Sequence, residues 1–346
     1  MPSQGNILVI RGGAIGDFIL TLPVFAALRQ QFPQAHLEVL GYPHIAQLAL
    51  ASGLVDRMQS IEARALAGFF ARDGELAEGL RDYFSDFAII VSYLYDPDGI
   101  FRTNIRRCSK ALLISGPHRP DETAGEHATE VFLRPLEKLA IFDAPSVPEL
   151  RMIPDTKKHF AREALRAQTP SGSEVNSGLL DRTHLMRGCP TTLALHPGSG
   201  SERKNWPETK WTELLVYLVE ESELRLLLIG GEAEGNRLER LAALLPPARY
   251  EIARNMPLVD LALRVSSCVA FIGHDSGISH LAAAVGLPAL VLWGESVEEV
   301  WHPKGKNVAI IRNSAGVNGI TVTRIKAELA QVLAGQIRRP CEKQNQ

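Results

Sequence analysis

The chain has 346 residues, with 37 Lys and Arg against 39 Asp and Glu and 45% hydrophobic residues. A net charge of −2 removes any global electrostatic case for nucleic acid, and the length predicts about two domains in an ordinary soluble globular protein. Four scattered cysteines (Cys108, Cys189, Cys268, Cys341) form no CxxC pair, which argues against a structural zinc site or a disulfide framework and fits a reducing cytosol.

The first elements are a strand at 6–11 and a helix at 15–31, joined within LVIRGGAIGDFILTLP. Apolar residues at 15, 18, 19, 22 and 25 have helical spacing. Strand, glycine turn and helix present backbone N–H groups to a phosphate, yet Asp17 stands at the helix start and would repel one. The dinucleotide fingerprint also fails: a GxGxxG ending at Gly16 needs glycine at position 11, which is Arg11. No acidic ribose ligand follows, since LEVLGYP ends its strand in Leu40 and Gly41, and no GxxxxGK[ST] is present. Arg11 and Asp17 interrupt the opening apolar stretch, so it does not read as a signal peptide.

Further strands are expected at 36–40, 87–91 and 111–114, with helices at 44–51, 75–84, 98–110 and 125–140. This alternation predicts a mostly parallel sheet covered on both faces. In the helix at 98–110, Arg102, Arg106 and Lys110 form a basic stripe beside the core-facing Phe101, Ile105 and Cys108. Between 166 and 190 the chain is polar, rich in Gly and Ser and without period, as a linker or mobile loop is.

The alternation then restarts: strands at 191–195, 224–229, 269–273 and 288–292, helices at 207–220, 234–244 and 276–285, and a last amphipathic helix near 321–335. The apolar run from Leu281 is broken by Pro288 and is too short to span a bilayer; peripheral membrane contact stays open. The expected organisation is an α/β domain at 1–165, a linker at 166–190, a second α/β domain at 191–320, and a helix and tail at 321–346. Two open parallel sheets facing each other bring both sets of carboxyl strand ends to one shared cleft.

Three strand-to-loop junctions of the second half end in glycines or small hydroxyls and open a helix. They are LALHPGSGSERKNWP, with Gly198, Ser199, Ser201 and Lys204; LLLIGGEAEGNRLE, with Gly231 and Glu232; and AFIGHDSGISHLAAAVG, with Asp275, Ser276, Gly277 and His280. Exposed N–H donors, hydroxyls and a helix N-terminus are the components of a diphosphate site, and Lys204 adds a mobile point charge. With the diphosphate held by the second domain, Asp17 is free to face the cleft as a general base. Gly12, Gly13 and Gly16 leave room for a substrate beside it. No acidic cluster of metal-ligand type accompanies these loops, so no metal is expected.

Together and in this order, ILVIRGGAIGDFILTLPVFAALRQQFPQAHLEVLG, LHPGSGSERKNWP and FIGHDSGISHLAAAVGLPALVLWG resemble glycosyltransferase family nine, the ADP-heptose:lipopolysaccharide heptosyltransferases. The resemblance spans about 300 residues, both expected domains. It implies a GT-B fold of two Rossmann-like domains, with acceptor bound by the first and donor by the second. It implies an inverting transfer with Asp17 as base, Lys204 on the donor phosphate, and Asp275, Ser276, Gly277 and His280 lining the diphosphate and sugar. The implied partners are ADP-heptose or a similar nucleotide sugar, needing no further cofactor, and a glycolipid or core-oligosaccharide acceptor. The implied location is the cytoplasm, with peripheral association at the inner membrane's cytoplasmic face left open. Two features depart from the family: GESVEEVWHP stands where members often have TDP, and the loop at 60–75 offers only Arg64 and Arg72 among acidic residues. The acceptor side is accordingly assigned to Gly13, Arg64 and Arg102. The alternatives are a non-catalytic nucleotide-sugar-binding protein and a family member using another donor sugar. A periplasmic-type binding protein would need a signal peptide.

Overall fold

The computed structural model describes residues 5–152 and 192–337. The linker expected at 166–190 lies outside them, as does the tail beyond 337.

In the first half β1 (Asn6–Arg11), β2 (His36–Gly41), β3 (Arg57–Ser60), β4 (Phe87–Ser92) and β5 (Leu112–Ser115) pair in parallel in the order β3-β2-β1-β4-β5. Ile7, Leu8, Val9 and Ile10 of the central strand are buried on both faces, which is why the sequence there is continuously apolar. Helices α1 (Ile15–Gln31), α2 (Pro43–Ala51), α3 (Glu78–Ser85), α4 (Ile100–Arg106) and α5 (Ala128–Leu133) alternate with the strands.

The second half repeats this plan. Strands β6 (Thr192–His196), β7 (Arg225–Gly230), β8 (Tyr250–Arg254), β9 (Ala270–His274), β10 (Ala289–Leu292) and β11 (Val308–Ile311) form a parallel sheet ordered β11-β10-β9-β6-β7-β8. Its helices are α6 (Glu208–Glu220), α7 (Arg237–Ala242), α8 (Leu258–Ser266), α9 (Gly277–Ala284), α10 (Glu298–Trp301) and α11 (Val322–Ile337). Both sheets are doubly wound, as two Rossmann-like domains require. Strand order reverses between β1 and β4 in one and between β9 and β6 in the other, and ligands of such sheets gather beyond the carboxyl ends at these points.

The two halves meet through helices. Helix α1 packs against α9, and α2 against α8. One apolar cluster runs across the seam, from Ile19, Leu22 and Ile45 to Val259, Leu281 and Ala282. Among the described residues no helix is long and apolar enough to cross a membrane.

Several expected elements are corrected. Strands β3, β8 and β11 and helices α8 and α10 were not expected; β3 is a short, half-exposed polar edge (RMQS) without an apolar signature. The helix at 98–110 ends at Arg106, so Lys110 falls outside it and the basic stripe is cut short. Arg107 N–H and Cys108 N–H each bond the carbonyl three residues back, at Asn104 and Ile105, tightening the chain out of the α-helix. The stretch 125–140 divides into α5 and a 3₁₀ turn, Arg134–Leu139, which begins with Pro135 at its second position. The stretch 234–244 shortens to α7, preceded by a 3₁₀ turn at Glu232–Glu234.

Candidate active site

Asp17 is the third residue of α1, and its Oδ2 accepts the N–H of Ala14 at 3.1 Å, holding the helix start as half of a capping box. The other oxygen faces Arg11, whose Nη2 lies 3.9 Å from Oδ1 and donates to the Asp17 carbonyl at 3.2 Å. Arg11 is 2% exposed; its guanidinium stacks 4.5 Å from the Phe132 ring and reaches the His118 carbonyl at 2.9 Å. The Asp17 side chain keeps 26% of its surface exposed, so it is anchored yet reachable. Gly13 adopts φ +98°, and a Cβ there would lie 3.0 Å from Asp17 Oδ2. Glycine is needed both for that backbone and for the space beside the carboxylate.

Across the seam stands the start of α9. A Cβ on Gly16 would sit 3.3 Å from His280 Cδ2, and one on Gly277 would sit 2.7 Å from Ile15 Cβ. The turn bearing Asp17 and the turn bearing Gly277 therefore touch. His280 is 5% exposed on the second side of this contact. Burial drives its imidazole down to about 4, against the opposing pull of Asp275 and Asp17, so the ring is neutral at pH 7.

Asp275, 8% exposed, follows β9 directly. Its Oδ2 accepts from Lys204 Nζ at 2.5 Å and from Ser296 Oγ. Trp293 Nε1 holds the Ser296 carbonyl at 2.8 Å, so the segment that departs from the family pattern still delivers a hydroxyl to Asp275. Ser276 Oγ lies 3.2 Å from His196 Nδ1. The loops carrying Lys204 and Asp275 leave β6 and β9, the two strands that flank the order reversal of the second sheet.

Buried groups that the sequence did not single out hold these loops. His274 is fully buried: its Nε2 accepts the Trp206 N–H at 2.8 Å, which leaves the proton on Nδ1 to donate to Gly198 O at 3.2 Å. Burial lowers this imidazole to about 3. Glu234 lies 3.5 Å from His196 Nε2 and accepts the Gly231 N–H at 2.5 Å. Burial alone would raise its carboxyl, but these two partners outweigh it and hold the group at about 2. Gly198 packs against Glu234, which fills the place of a Cβ at that position.

The sequence-predicted residues thus divide. Asp17, Gly13, Lys204, Asp275, Ser276, Gly277 and His280 gather along the seam. Ser199 is 6% exposed, and its hydroxyl lies 2.8 Å from both Ser201 O and Asn205 Oδ1, which gives it to the loop. Ser201 is half-buried on the same loop, and Glu232 is exposed beside Gly231 on the loop after β7. Arg64 is exposed at the start of a 3₁₀ turn, Arg64–Phe70. Arg102 lies in the wall of a separate cavity beyond β4 and β5, where Arg64 does not reach.

Comparison with known proteins agrees with this architecture. The sequence model of "Glycosyltransferase family 9 (heptosyltransferase)" matches residues 154–328, just over half of the chain. Lipooligosaccharide heptosyltransferase 2 of Haemophilus influenzae is 24% identical over 327 residues, covering 89% of this chain and 88% of that one. Lipopolysaccharide heptosyltransferase 1 of Pseudomonas aeruginosa is 36% identical over 128 residues, 36% of this chain and 35% of the relative. Among solved structures, the ADP-heptose lps heptosyltransferase II of E. coli superposes with a TM-score of 0.71 at 18% identity, covering 96% of this chain and 99% of that one. At that identity the likeness is one of fold, the GT-B arrangement of two Rossmann-like domains. The chain belongs to glycosyltransferase family 9, the heptosyltransferase family.

Proposed function

We propose that this glycosyltransferase is an inverting enzyme that moves heptose from ADP-heptose to a hydroxyl of a lipopolysaccharide core or related glycan. The observation that carries the mechanism is the meeting of two turns: Asp17 on one side, and His280 with the Lys204–Asp275 pair on the other. The acceptor hydroxyl gives its proton to Asp17 Oδ1, the oxygen that does not accept the Ala14 N–H, while its own oxygen attacks the anomeric carbon. The bond from that carbon to the diphosphate breaks as the new one forms, which inverts the centre. Charge appearing on the leaving diphosphate is met by Lys204 Nζ and by the N–H groups at the start of α9. Arg11, next to the base and, among the described residues, paired with no other carboxylate, keeps positive charge beside the site of proton uptake.

The donor assignment is supported by the Gly198–Lys204 and Asp275–Gly277 loops at the order reversal of the second sheet, and the acceptor assignment by Gly13 and Arg102 at the first. Arg64, on the exposed turn, serves the outer part of a larger acceptor. Lys204 and the helix start supply the positive charge that a divalent ion would bring. Among the described residues no group of three or more His, Cys, Asp or Glu is placed to hold one. In this reading the enzyme works in the cytoplasm, at the face of the inner membrane where a glycolipid acceptor is presented.

The test is ADP release from ADP-heptose by the purified chain, with and without a deacylated core acceptor. Acceptor-dependent release supports the reading. Donor binding with no release under either condition supports the non-catalytic alternative. Release from another nucleotide sugar in preference to ADP-heptose reassigns the donor.

A further inference from the structure

His196 ends β6, which lies between β9 and β7 in the second sheet, so its imidazole stands between the loops that leave those two strands. On one side Nδ1 lies 3.2 Å from Ser276 Oγ; on the other Nε2 lies 3.5 Å from Glu234 Oε1. His196 is 5% exposed and Glu234 7%, whereas Ser276 is only half-buried, next to Asp275. Ser276 is the N-cap of α9, in extended backbone, where a serine ordinarily accepts a helix N–H, yet its hydroxyl makes no such bond. That hydroxyl is turned to the imidazole instead. Burying an imidazole against a carboxylate is costly, so this line of three groups needs an account beyond packing.

The carboxylate decides where the imidazole can carry hydrogen. Glu234 is ionised at neutral pH, held at about 2, so Nε2 must bear a hydrogen to face it. Neutral His196 then has a bare Nδ1, which accepts the Ser276 O–H and leaves the serine's lone pairs turned outward. Lone pairs repel a diphosphate. An imidazolium reverses the direction: Nδ1–H donates to Ser276 Oγ, and the Ser276 O–H is released to donate to a phosphate oxygen. The other charged groups on the elements around the imidazole are already committed. Lys204 pairs with Asp275, Arg237 holds Glu202 and the Pro197 carbonyl, and burial keeps His274 neutral.

We propose that His196 is a positioning residue for the donor: it takes up one proton from solvent when the diphosphate binds and so turns the Ser276 hydroxyl onto it. The proposal rests on the glycosyltransferase reading above and adds proton uptake to donor binding. No bond between heavy atoms changes. The proton goes to Nδ1, Glu234 balances its charge at Nε2, and the Ser276 hydrogen swings from the imidazole to a phosphate oxygen by rotation about Cβ–Oγ. His196 does not touch the donor; it acts through Ser276.

The test is calorimetry of ADP binding to the full chain at about pH 7.5, in buffers of different ionisation enthalpy. That pH lies above the titration of a terminal phosphate, roughly 6, and of an ordinary imidazole, about 6.5. Net proton uptake is expected, with ADP affinity rising as pH falls from about 8.5 to about 7. His196→Asn puts an amide N–H near the place of Nδ1, where it can donate to Ser276 without a solvent proton. This variant should still bind ADP but show no uptake and a flat pH profile. His196→Ala should bind ADP at least about tenfold more weakly, the low end for a hydrogen bond to a charged group. Nitrogen NMR of the unmodified chain reads the imidazole directly: at about pH 7.5 both His196 nitrogens should carry hydrogen with ADP bound, and Nδ1 should be bare without it. ADP binding without proton uptake, uptake that persists in His196→Asn, or a neutral His196 in the ADP complex overturns the proposal and leaves the donor reading in place. No ADP binding at any pH counts against the donor reading, and the proposal falls with it.

Discussion

Lys204 Nζ lies 2.5 Å from Asp275 Oδ2, so the cation of the first donor loop is paired with a carboxylate from the third. The pair is partly open: the lysine side chain is 36% exposed and the aspartate 9%. A diphosphate carries more negative charge than one carboxylate and can draw the ammonium across. Lys204→Ala is therefore expected to weaken ADP binding roughly ten- to a hundredfold, the worth of a charge-assisted hydrogen bond. Calorimetry checks this. Unchanged ADP affinity would leave Lys204 as no more than the counterion of Asp275.

Asp17→Asn separates chemistry from architecture. The amide oxygen still accepts the Ala14 N–H, so the start of α1 survives. What is lost is the ability to take a proton. Turnover should fall at least about a hundredfold, while ADP affinity and Tm stay near those of the unmodified chain. Retention of near-normal kcat assigns the base elsewhere.

These two residues were legible in the sequence because each sits in a local context that explains it: Asp17 among three glycines, Lys204 after a run of Gly and Ser. The groups that hold them were not. His274 reaches Gly198 across 76 positions, and Arg11 reaches His118 across 107. In the sequence Arg11 spoils a glycine fingerprint and interrupts an apolar stretch, and nothing local marks it as a buried cation beneath the base. The fold divides in the same way. Strands buried on both faces, such as β1 and β9, announce themselves as apolar runs. The edge strand β3 (RMQS) is half-exposed and polar, and β8 (YEIAR) alternates too weakly to stand out. Helix α4 was overextended because Cys108 continues the apolar period after the backbone has left the α-helix.

The contact between the two turns has no space for a methyl group. Gly277→Ala would bring its Cβ to 2.7 Å from Ile15 Cβ and 3.0 Å from the Gly16 nitrogen. The clash forces α1 and α9 apart at the point where base and donor must meet. Turnover should drop by at least about tenfold, since small misplacements of reacting groups cost heavily. Gly79→Ala, on α3 with nothing within 4 Å of the added Cβ, should leave turnover unchanged. Equal activity in both variants would show that the seam is not held closed during transfer.

Excess EDTA is expected to leave transfer intact, with Mg²⁺ changing the rate only modestly through charge screening. The positive charge at the leaving group comes from Lys204 and the α9 start, and chelation removes neither. Complete loss of activity, restored only by a divalent ion, would make Asp275 a metal ligand and require a different mechanism.

Acid sensitivity is expected to come first from histidines. Burial lowers His127 and His280 to about 4 and His274 to about 3, from an ordinary 6.5. Between 6.5 and those values the unfolded chain binds protons that the folded chain refuses, so stability rises with pH across that window. Tm should be flat above pH 6.5 and decline as pH falls below it. Glu234, lowered from 4.5 to about 2, adds its own loss only below 4.5, which leaves the interval from 6.5 to 4.5 to the imidazoles. His127 also ties the two halves of the chain. Its Nε2–H donates to the His302 carbonyl at 2.9 Å, so its Nδ1 must be the bare nitrogen that accepts from Thr129 N–H at 3.2 Å. A proton on Nδ1 would face that N–H and break the arrangement. His127→Gln removes one of these three titrations and should make the fall of Tm between pH 6.5 and 4.5 shallower, with His280 and His274 still contributing, although it weakens the tie at neutral pH. Calorimetric scans at constant ionic strength decide the matter: a Tm that does not fall across that interval in the unmodified chain rules out the buried neutral imidazoles as its acid trigger.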